Sequence, residues 1–517
     1  MAQRYHKIHK AAHKWWFIAI IAFFTACQSK HHDIPLYTQD FCSQIHFAKP
    51  AGLSAGLKPL ADSMAHKTGL YVLEDGESAM IARAWLCEQA EHTIDIQYFI
   101  FSTDNVGLIA CDYLVRAADR GVKVRILVDD IMVDATPHEI LTLGSHKNIS
   151  IKIYNPGINL GKNIVGKLIK LATDFKGANQ RMHNKTFTVD GSVAITGGRN
   201  IADEYFDYSH EFNFRDRDVL LMGPAVENIS RSFEEFWGSP LSVPVQELVH
   251  EPGIDTIAPK QFDRLHQYAC NPDNFWPQVR DRIQQLPEAF KKIQQSGDLV
   301  WTDSVTFIAD TPGKSQGMHG GGITTDKLIA LVDAAQHTID IQTPYLIVTD
   351  KGLELLKKTI KRGVQIRILT NSLASNDNLQ SFGGYQKVRR KLLEAGVKIY
   401  EFKPDAKERY TTMTSALQHK INFTPVFGLH AKCMVVDGYT TVIGTFNMDP
   451  RSANLNTECV TIISSAKIAA GVLRGIEQEY KPENSWETTL SFNPDATAGA
   501  ARRIKTFGLK VVPKKIL

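Results

Sequence analysis

A histidine and a lysine two residues apart make a compact chemical unit. The imidazole can act as a nucleophile or carry a proton near neutral pH, and the ammonium can neutralise an anion. The chain holds this unit twice, about half its length apart. His183-Asn184-Lys185 is followed by Asp190 and then Gly197-Gly198-Arg199-Asn200; His430-Ala431-Lys432 is followed by Asp437 and then Gly444-Thr445-Phe446-Asn447. Both copies read H-x-K-x4-D-x6-G-x-x-N. A duplicated unit supplying one histidine and one lysine per copy implies a single site assembled from two halves.

The elements that must position these residues are legible around them. Residues 185–189 and 192–196 are β-rich runs joined by Asp190-Gly191, a strong hairpin signal, and 432–436 and 439–443 flank Asp437-Gly438 in the same way. Residues i and i+2 of a strand share a face, so each histidine and its lysine point to the same side. Turn preference alone accounts for Asp190 and Asp437. Their place in the motif keeps them among the candidate catalytic residues.

The repeat extends well beyond the hairpins. His92-Thr93-Ile94-Asp95-Ile96-Gln97 recurs letter for letter as His337-Thr338-Ile339-Asp340-Ile341-Gln342, and Arg120-Gly121-Val122 returns as Arg362-Gly363-Val364. Helical patterns at 106–119 and 352–361 lie between these blocks, and earlier helical runs at 79–90 and 327–335 precede them. Strand, helix, strand with short links predicts a βαβ unit with parallel strands. The expected fold is α/β: two pseudo-symmetric lobes, each a mixed β-sheet flanked by helices, with the site at their interface. The expected divisions are an N-terminal segment 1–27, a linker 28–59, lobes at 60–245 and 300–482, a packed connector 246–299 and a basic tail 483–517.

Composition is that of a globular protein, with 43% hydrophobic and 22% charged residues. The formal charge of +4 is matched by Arg4, Lys7, Lys10 and Lys14, which lie in an acid-free N-terminal stretch. The remaining body is neutral, which argues against a nucleic-acid partner. Residues 15–24 form an apolar run short for a membrane span, and Phe24-Thr25-Ala26-Cys27 follows it. This resembles a bacterial lipoprotein signal with Cys27 as the lipidated residue; an uncleaved signal anchor is the alternative. Either reading puts the body in the cell envelope of a bacterium, tethered to the inner or outer membrane. Cys42, Cys87, Cys111, Cys270, Cys433 and Cys459 show no C-x-x-C spacing and are expected not to form a disulfide framework. No metal-ligand motif is present, and no cofactor is expected.

The duplicated motif resembles that of the phospholipase D superfamily over nearly all of residues 60–482. The block from Arg181 to Gly191, with Gly197-Gly198-Arg199-Asn200-Ile201-Ala202-Asp203-Glu204-Tyr205-Phe206, is most similar to the bacterial cardiolipin synthase C branch. So is Asn447-Met448-Asp449-Pro450-Arg451-Ser452, followed by Asn456-Thr457-Glu458. The resemblance implies phosphodiester chemistry. Lys185, Lys432, Asn200 and Asn447 would surround the phosphate oxygens where charge builds up. One imidazole would form a phosphohistidine while the other transfers protons. Family likeness favours His183 as nucleophile and His430 as acid/base, although the two halves are nearly symmetric. Glu458 and Asp216 (favoured over Asp218) would orient the histidines, the alternative for either Asp being a surface salt bridge with Arg215 or Arg217.

Phospholipids and a membrane surface are therefore the expected partners; no protein partner is indicated. Residues 161–175 and 410–427, with the basic tail, are candidate bilayer contacts. The implied reaction is phosphatidyl transfer to an alcohol: cardiolipin formation when phosphatidylglycerol accepts, with phosphatidylglycerol or phosphatidylethanolamine as donor. A hydrolytic phospholipase D is the nearest alternative. A nuclease, or a non-catalytic membrane-binding module, fits less well because the body is neutral and both His–Lys pairs are intact.

Overall fold

Helix and strand patterns repeated half a chain apart become two sheets. The structure, a computed structural model, describes residues 41–42, 52–132, 135–157, 159–160, 180–250, 253–314, 321–413 and 425–510. Cys27 with its preceding segment, the stretch 161–175 and residues 414–424 lie outside the described residues.

In the first lobe, the parallel strands Thr93–Tyr98, Lys123–Asp129 and Ile149–Tyr154 adjoin the hairpin Thr186–Val189 and Val193–Gly197. Asp218–Met222 and Thr68–Leu73 extend that sheet antiparallel. The second lobe repeats the plan. Thr338–Gln342, Gln365–Asn371 and Lys398–Phe402 run parallel beside the hairpin Cys433–Val436 and Thr440–Gly444, with Cys459–Ser464 beyond. Among the described residues the two sheets have nine and eight strands. Crossover helices Asn105–Asp119 and Asp350–Lys361 make the parallel connections. Each is capped by a side chain accepting from its first turn, Asp104 from Gly107 and Thr349 from Gly352.

Alternation along the strands puts apolar residues on both sides. Ile94, Ile96, Val124, Ile126, Ile149 and Ile151 bury against the first lobe's helices. Ala194, Val219 and Leu221 share a core with Leu429, Val435, Ile443 and Ile463 from the second lobe. The lobes are thus joined by a continuous apolar layer, which removes water from the region between them.

Three features depart from the sequence reading. Val300–Thr302, placed by the expected boundary in the second lobe, pairs on the edge of the first sheet with Thr68, Gly69 and Leu70. The basic tail is folded through Lys510: Ser485–Thr488 adds an edge strand to the second sheet, and helix Ala500–Leu509 packs on helix Leu379–Glu394. Cys42 and Cys270 form a disulfide. That pairing joins the N-terminal linker to the connector, 228 residues away in sequence, so no local spacing could announce it. The connector itself is packed. Its helices Ile254–Ala269, Pro277–Gln284 and Ala289–Gln295 bury Leu265, Val279, Ile283 and Phe290 in the first lobe's core, and the Trp85 and Phe290 rings stack 4.7 Å apart. Among the described residues, no helix is long and apolar enough to cross a membrane.

Candidate active site

The two histidines are placed by backbone pairing that crosses between the lobes. Strand Val426–Leu429 runs parallel to Phe212–Arg215, with Leu429 opposite Arg215, and the next residues are His430 and Asp216. An isolated parallel bridge sets Met182 opposite Thr457, and the next residues are His183 and Glu458. In-register parallel neighbours share a face, so each histidine emerges beside a carboxylate of the other lobe. His183 Nδ1 lies 2.8 Å from Glu458 Oε2, and His430 Nδ1 lies 2.6 Å from Asp216 Oδ2. The backbone locks both registers: His183 N–H donates to Thr457 O at 2.9 Å and His430 N–H to Arg215 O at 2.8 Å. With Nδ1 engaged by a carboxylate, Nε2 is the nitrogen that faces away from it at each ring.

The lysines sit two residues on, as the strand period requires. Lys185 Nζ donates to His183 O at 2.8 Å; Lys432 Nζ donates to His430 O at 2.6 Å and lies 2.9 Å from His430 Nε2. Aromatic rings wall the site: Phe99 meets His183 edge-on at 5.0 Å, while Tyr205 and Phe214 flank His430 at 5.1 and 4.8 Å. All four His and Lys side chains are buried.

Burial governs the charges here. Burial lowers His183 to about 4, with Lys185 and Lys432 assisting against Glu458. Burial and Lys432 lower His430 to about 3. Burial also brings Lys185 down to about 8, and burial with Lys185 brings Lys432 to about 7. Burial alone would raise Asp216 and Glu458, but the adjacent imidazoles and lysines reverse it and hold both below the ordinary carboxylate range. The unliganded site therefore has ionised carboxylates, neutral imidazoles and two loosely held ammonium charges. An entering anion favours the charged form of both lysines.

The two carboxylates are supported differently. Glu458 accepts from Thr445 Oγ1 at Oε2 and from Ser452 Oγ at Oε1, 2.7 Å away. Asp216 Oδ1 accepts from Arg217 N–H at 2.7 Å. Where the second lobe has Thr445 the first has Gly198, and a Cβ there would sit 2.0 Å from Asp216 Oδ1. The alternating run Arg215-Asp216-Arg217-Asp218 sorts by face, and all four residues are buried, so none forms a surface salt bridge. Arg215 and Arg217 reach Glu74, and Arg215 also pairs with Glu479 at 2.7 Å. Asp218 pairs with Arg83 at 2.9 Å, while Asp216 alone of the two aspartates reaches a histidine.

Some motif residues do other work. Asp190 and Asp437, expected among the catalytic residues, are turn anchors. Each takes a positive φ, 50° and 53°, in its Asp-Gly turn. The Asp190 carboxylate accepts from the N–H groups of Glu91, His92 and Thr93, and that of Asp437 from Gln336, His337 and Thr338. Each strand carries its aspartate roughly 17 Å from the motif lysine, so the motif's second half ties the hairpin to the start of the central strand. Asn200, expected to bind phosphate, also serves local structure: Oδ1 accepts from Ile100 N–H at 3.1 Å and Nδ2 gives one of its two hydrogens to Tyr205 Oη at 2.8 Å. Asn447 has a buried Oδ1 with no hydrogen-bond partner among the described residues; that oxygen is an acceptor, so only its Nδ2 could donate to a phosphate. Thr196 supports Lys185 through its carbonyl at 2.8 Å. Asp112, His266 and Cys270 form a group with metal-binding reach, but the Cys270 sulfur is in the disulfide.

Sequence reasoning missed the exchange of carboxylates between lobes, Thr445, and the aromatic walls. Only Thr445 had a visible signal, the mismatch of Gly198 with Thr445 between otherwise equivalent Gly-x-x-Asn turns.

Duplicated His–Lys strands facing one interface define a phospholipase D-type site, and the chain belongs to that family: residues 86–237 and 328–479 match the model described as "Cardiolipin synthase, PLD-like domain". Among its relatives, cardiolipin synthase C of Escherichia coli (strain K12) is 34% identical over 443 residues, 85% of this chain and 90% of that protein. Cardiolipin synthase 1 of Bacillus cereus (strain ATCC 14579) is 27% identical over 418 residues, covering 81% of this chain and 67% of that one. The fold is shared with a crystal structure of phosphatidylserine synthase from Haemophilus influenzae Rd KW20, at TM-score 0.55 and 13% identity over 89% of this chain and 99% of that one.

Proposed function

We propose that this chain transfers a phosphatidyl group from a phospholipid to an alcohol through a phosphohistidine, and that its product is cardiolipin. The observation that carries the reading is the crossed geometry, in which each Nδ1 is held by the opposite lobe's carboxylate at 2.8 or 2.6 Å. In the first step His183 Nε2 attacks phosphorus, an N–P bond forms and the P–O bond to the leaving alcohol breaks. His430 gives that alkoxide its proton. In the second step His430 removes the proton of the acceptor hydroxyl, the new O–P bond forms and the N–P bond breaks. Lys185, Lys432 and Asn447 bind the non-bridging oxygens, where charge builds up in both transition states. The lowered imidazole pKa values suit a neutral nucleophile, and the phosphodiester charge brings His430 back toward protonation.

Phosphatidylglycerol serves as acceptor, with phosphatidylglycerol or phosphatidylethanolamine as donor; the named activity of the Escherichia coli relative supports the product. The enzyme works on a membrane surface in the bacterial cell envelope, tethered at its N-terminus through Cys27 or through an uncleaved signal anchor. The Cys42–Cys270 disulfide supports an oxidising compartment. Incubating the protein with labelled phosphatidylglycerol, with and without phosphatidylethanolamine, decides the matter. Labelled cardiolipin is expected, with ethanolamine released when phosphatidylethanolamine is the donor. Phosphatidic acid as the sole product at every lipid concentration would mean hydrolysis instead.

A further inference from the structure

Among the described residues, Ile504 and Phe507 are the most exposed large apolar side chains, 71% and 75%, and stand three residues apart on one helix. That helix, Ala500–Leu509, is long enough to have faces. Arg502, Thr506, Leu509 and Lys510 lie on its packed side, and Thr506 is buried. At 100° per residue, Ile504, Phe507 and Ala500 fall opposite that side, with Arg503 on one flank and Lys505 on the other. The chain has no acidic residue after Asp495. An apolar ridge flanked by a cation on each side, Arg503 and Lys505, matches a surface that is oily below and anionic above.

The helix is also tied to the site. Arg502 donates to the carbonyls of Leu373, at 2.7 Å, and Asn376. The loop it holds begins at Asn371, whose amide brackets Leu429 with two 2.8 Å hydrogen bonds immediately before His430. The same loop carries Asp377, which lies close enough to Lys432 to feel its charge.

We infer that helix Ala500–Leu509 is an interfacial helix that seats the second lobe on an anionic bilayer, with Ile504 and Phe507 below the headgroups and Arg503 and Lys505 among them. The partner is the lipid surface itself. The consequence for the site rests on the phosphatidyltransferase reading: docking through this helix brings the loop after Asn371, and His430 beside it, to the level where lipid phosphates lie.

The test uses the full chain, Phe507→Cys carrying a nitroxide, with the signal of the identically treated unsubstituted chain subtracted. Reconstituted in vesicles of phosphatidylcholine with about one-third phosphatidylglycerol, the label should become more accessible to oxygen than to a water-soluble nickel complex. It should stay water-accessible in phosphatidylcholine alone. Removing two cations with Arg503→Gln/Lys505→Gln should weaken this insertion about 25-fold, from roughly fivefold per basic residue at an anionic surface. Ile504→Ser/Phe507→Ser should lower turnover on vesicles at least tenfold while leaving turnover of monomeric short-chain phosphatidylglycerol unchanged. A label that stays in water on anionic vesicles overturns the inference, as does spin–spin broadening without lipid, which would mean a second copy covers the ridge. Absence of turnover in the unsubstituted chain would count against the catalytic reading and leave the insertion result standing.

Discussion

The two histidine–carboxylate pairs have one geometry and two kinds of scaffolding. Around His183 the carboxylate is the longer Glu458, steadied by the hydroxyls of Thr445 and Ser452. Around His430 it is the shorter Asp216, steadied by a backbone N–H, with Gly198 clearing the space that Thr445 fills in the other lobe. Duplication has kept the histidine–lysine pairs and the parallel register that sets them, while the supports have diverged. The hydrogen bond to Nδ1 is thus the invariant requirement, and either chain length of carboxylate meets it when the neighbouring turn is matched to it.

The strongest way to break the comparison is to remove a reacting group. His183→Ala and His430→Ala should each lower turnover on the order of 10⁶-fold, and the double variant should be scarcely worse, because residues acting as a unit are not additive. Only His430→Ala should retain a trapped phosphatidyl adduct, detected by intact mass. An adduct in His183→Ala alone would exchange the two roles. Next come the orienting groups: Asp216→Asn and Glu458→Gln keep the shape but accept poorly from Nδ1–H, and should cost on the order of 10³- to 10⁴-fold in kcat. Equal losses would show that the two scaffolds deliver the same catalytic benefit.

Much of this was legible beforehand. The hairpins, the parallel βαβ units and the pairing of His with Lys follow from alternation and turn chemistry, which are local. Arg215-Asp216-Arg217-Asp218 shows the limit. Strand alternation separates the arginines from the aspartates but cannot say which lobe each faces, and only a parallel partner 214 residues away in sequence brings His430 to Asp216. The disulfide partner of Cys42 was hidden for the same reason. Asp190 and Asp437 erred in the other direction: a motif position looked catalytic, although Asp-Gly turn chemistry already explained it.

Smaller changes sharpen the contrast between supports. Gly198→Ala places a Cβ 2.0 Å from Asp216 Oδ1 and must displace that carboxylate, so a loss on the order of 10²-fold in kcat is expected. Thr445→Val leaves Ser452 in place on Glu458 and should cost roughly tenfold. A larger loss at Thr445 than at Gly198 would invert the account of the two turns.

The lysines give the gentlest test, through pH. In the unliganded site Lys432 titrates near 7 and Lys185 near 8, and a bound anion raises both. Below about pH 6 both are charged, so affinity for a soluble phosphodiester should be flat there. Above it, binding must take up protons, and affinity should fall by up to about tenfold per pH unit for each lysine. Calorimetry in two buffers of different ionisation enthalpy at pH 8 should report proton uptake; a pH-independent affinity up to pH 9 would contradict the lowered lysines.

The central claim is that each histidine is oriented by the other lobe, and histidine Nδ1–H resonances read that directly. With ¹⁵N-labelled histidine, His183→Gln and His430→Gln assign the two downfield Nδ1 protons. Glu458→Gln should then shift the His183 resonance and leave that of His430 nearly unmoved, and Asp216→Asn should do the reverse. If Asp216→Asn instead moved the His183 resonance, each lobe would orient its own histidine, and the crossed site would be wrong.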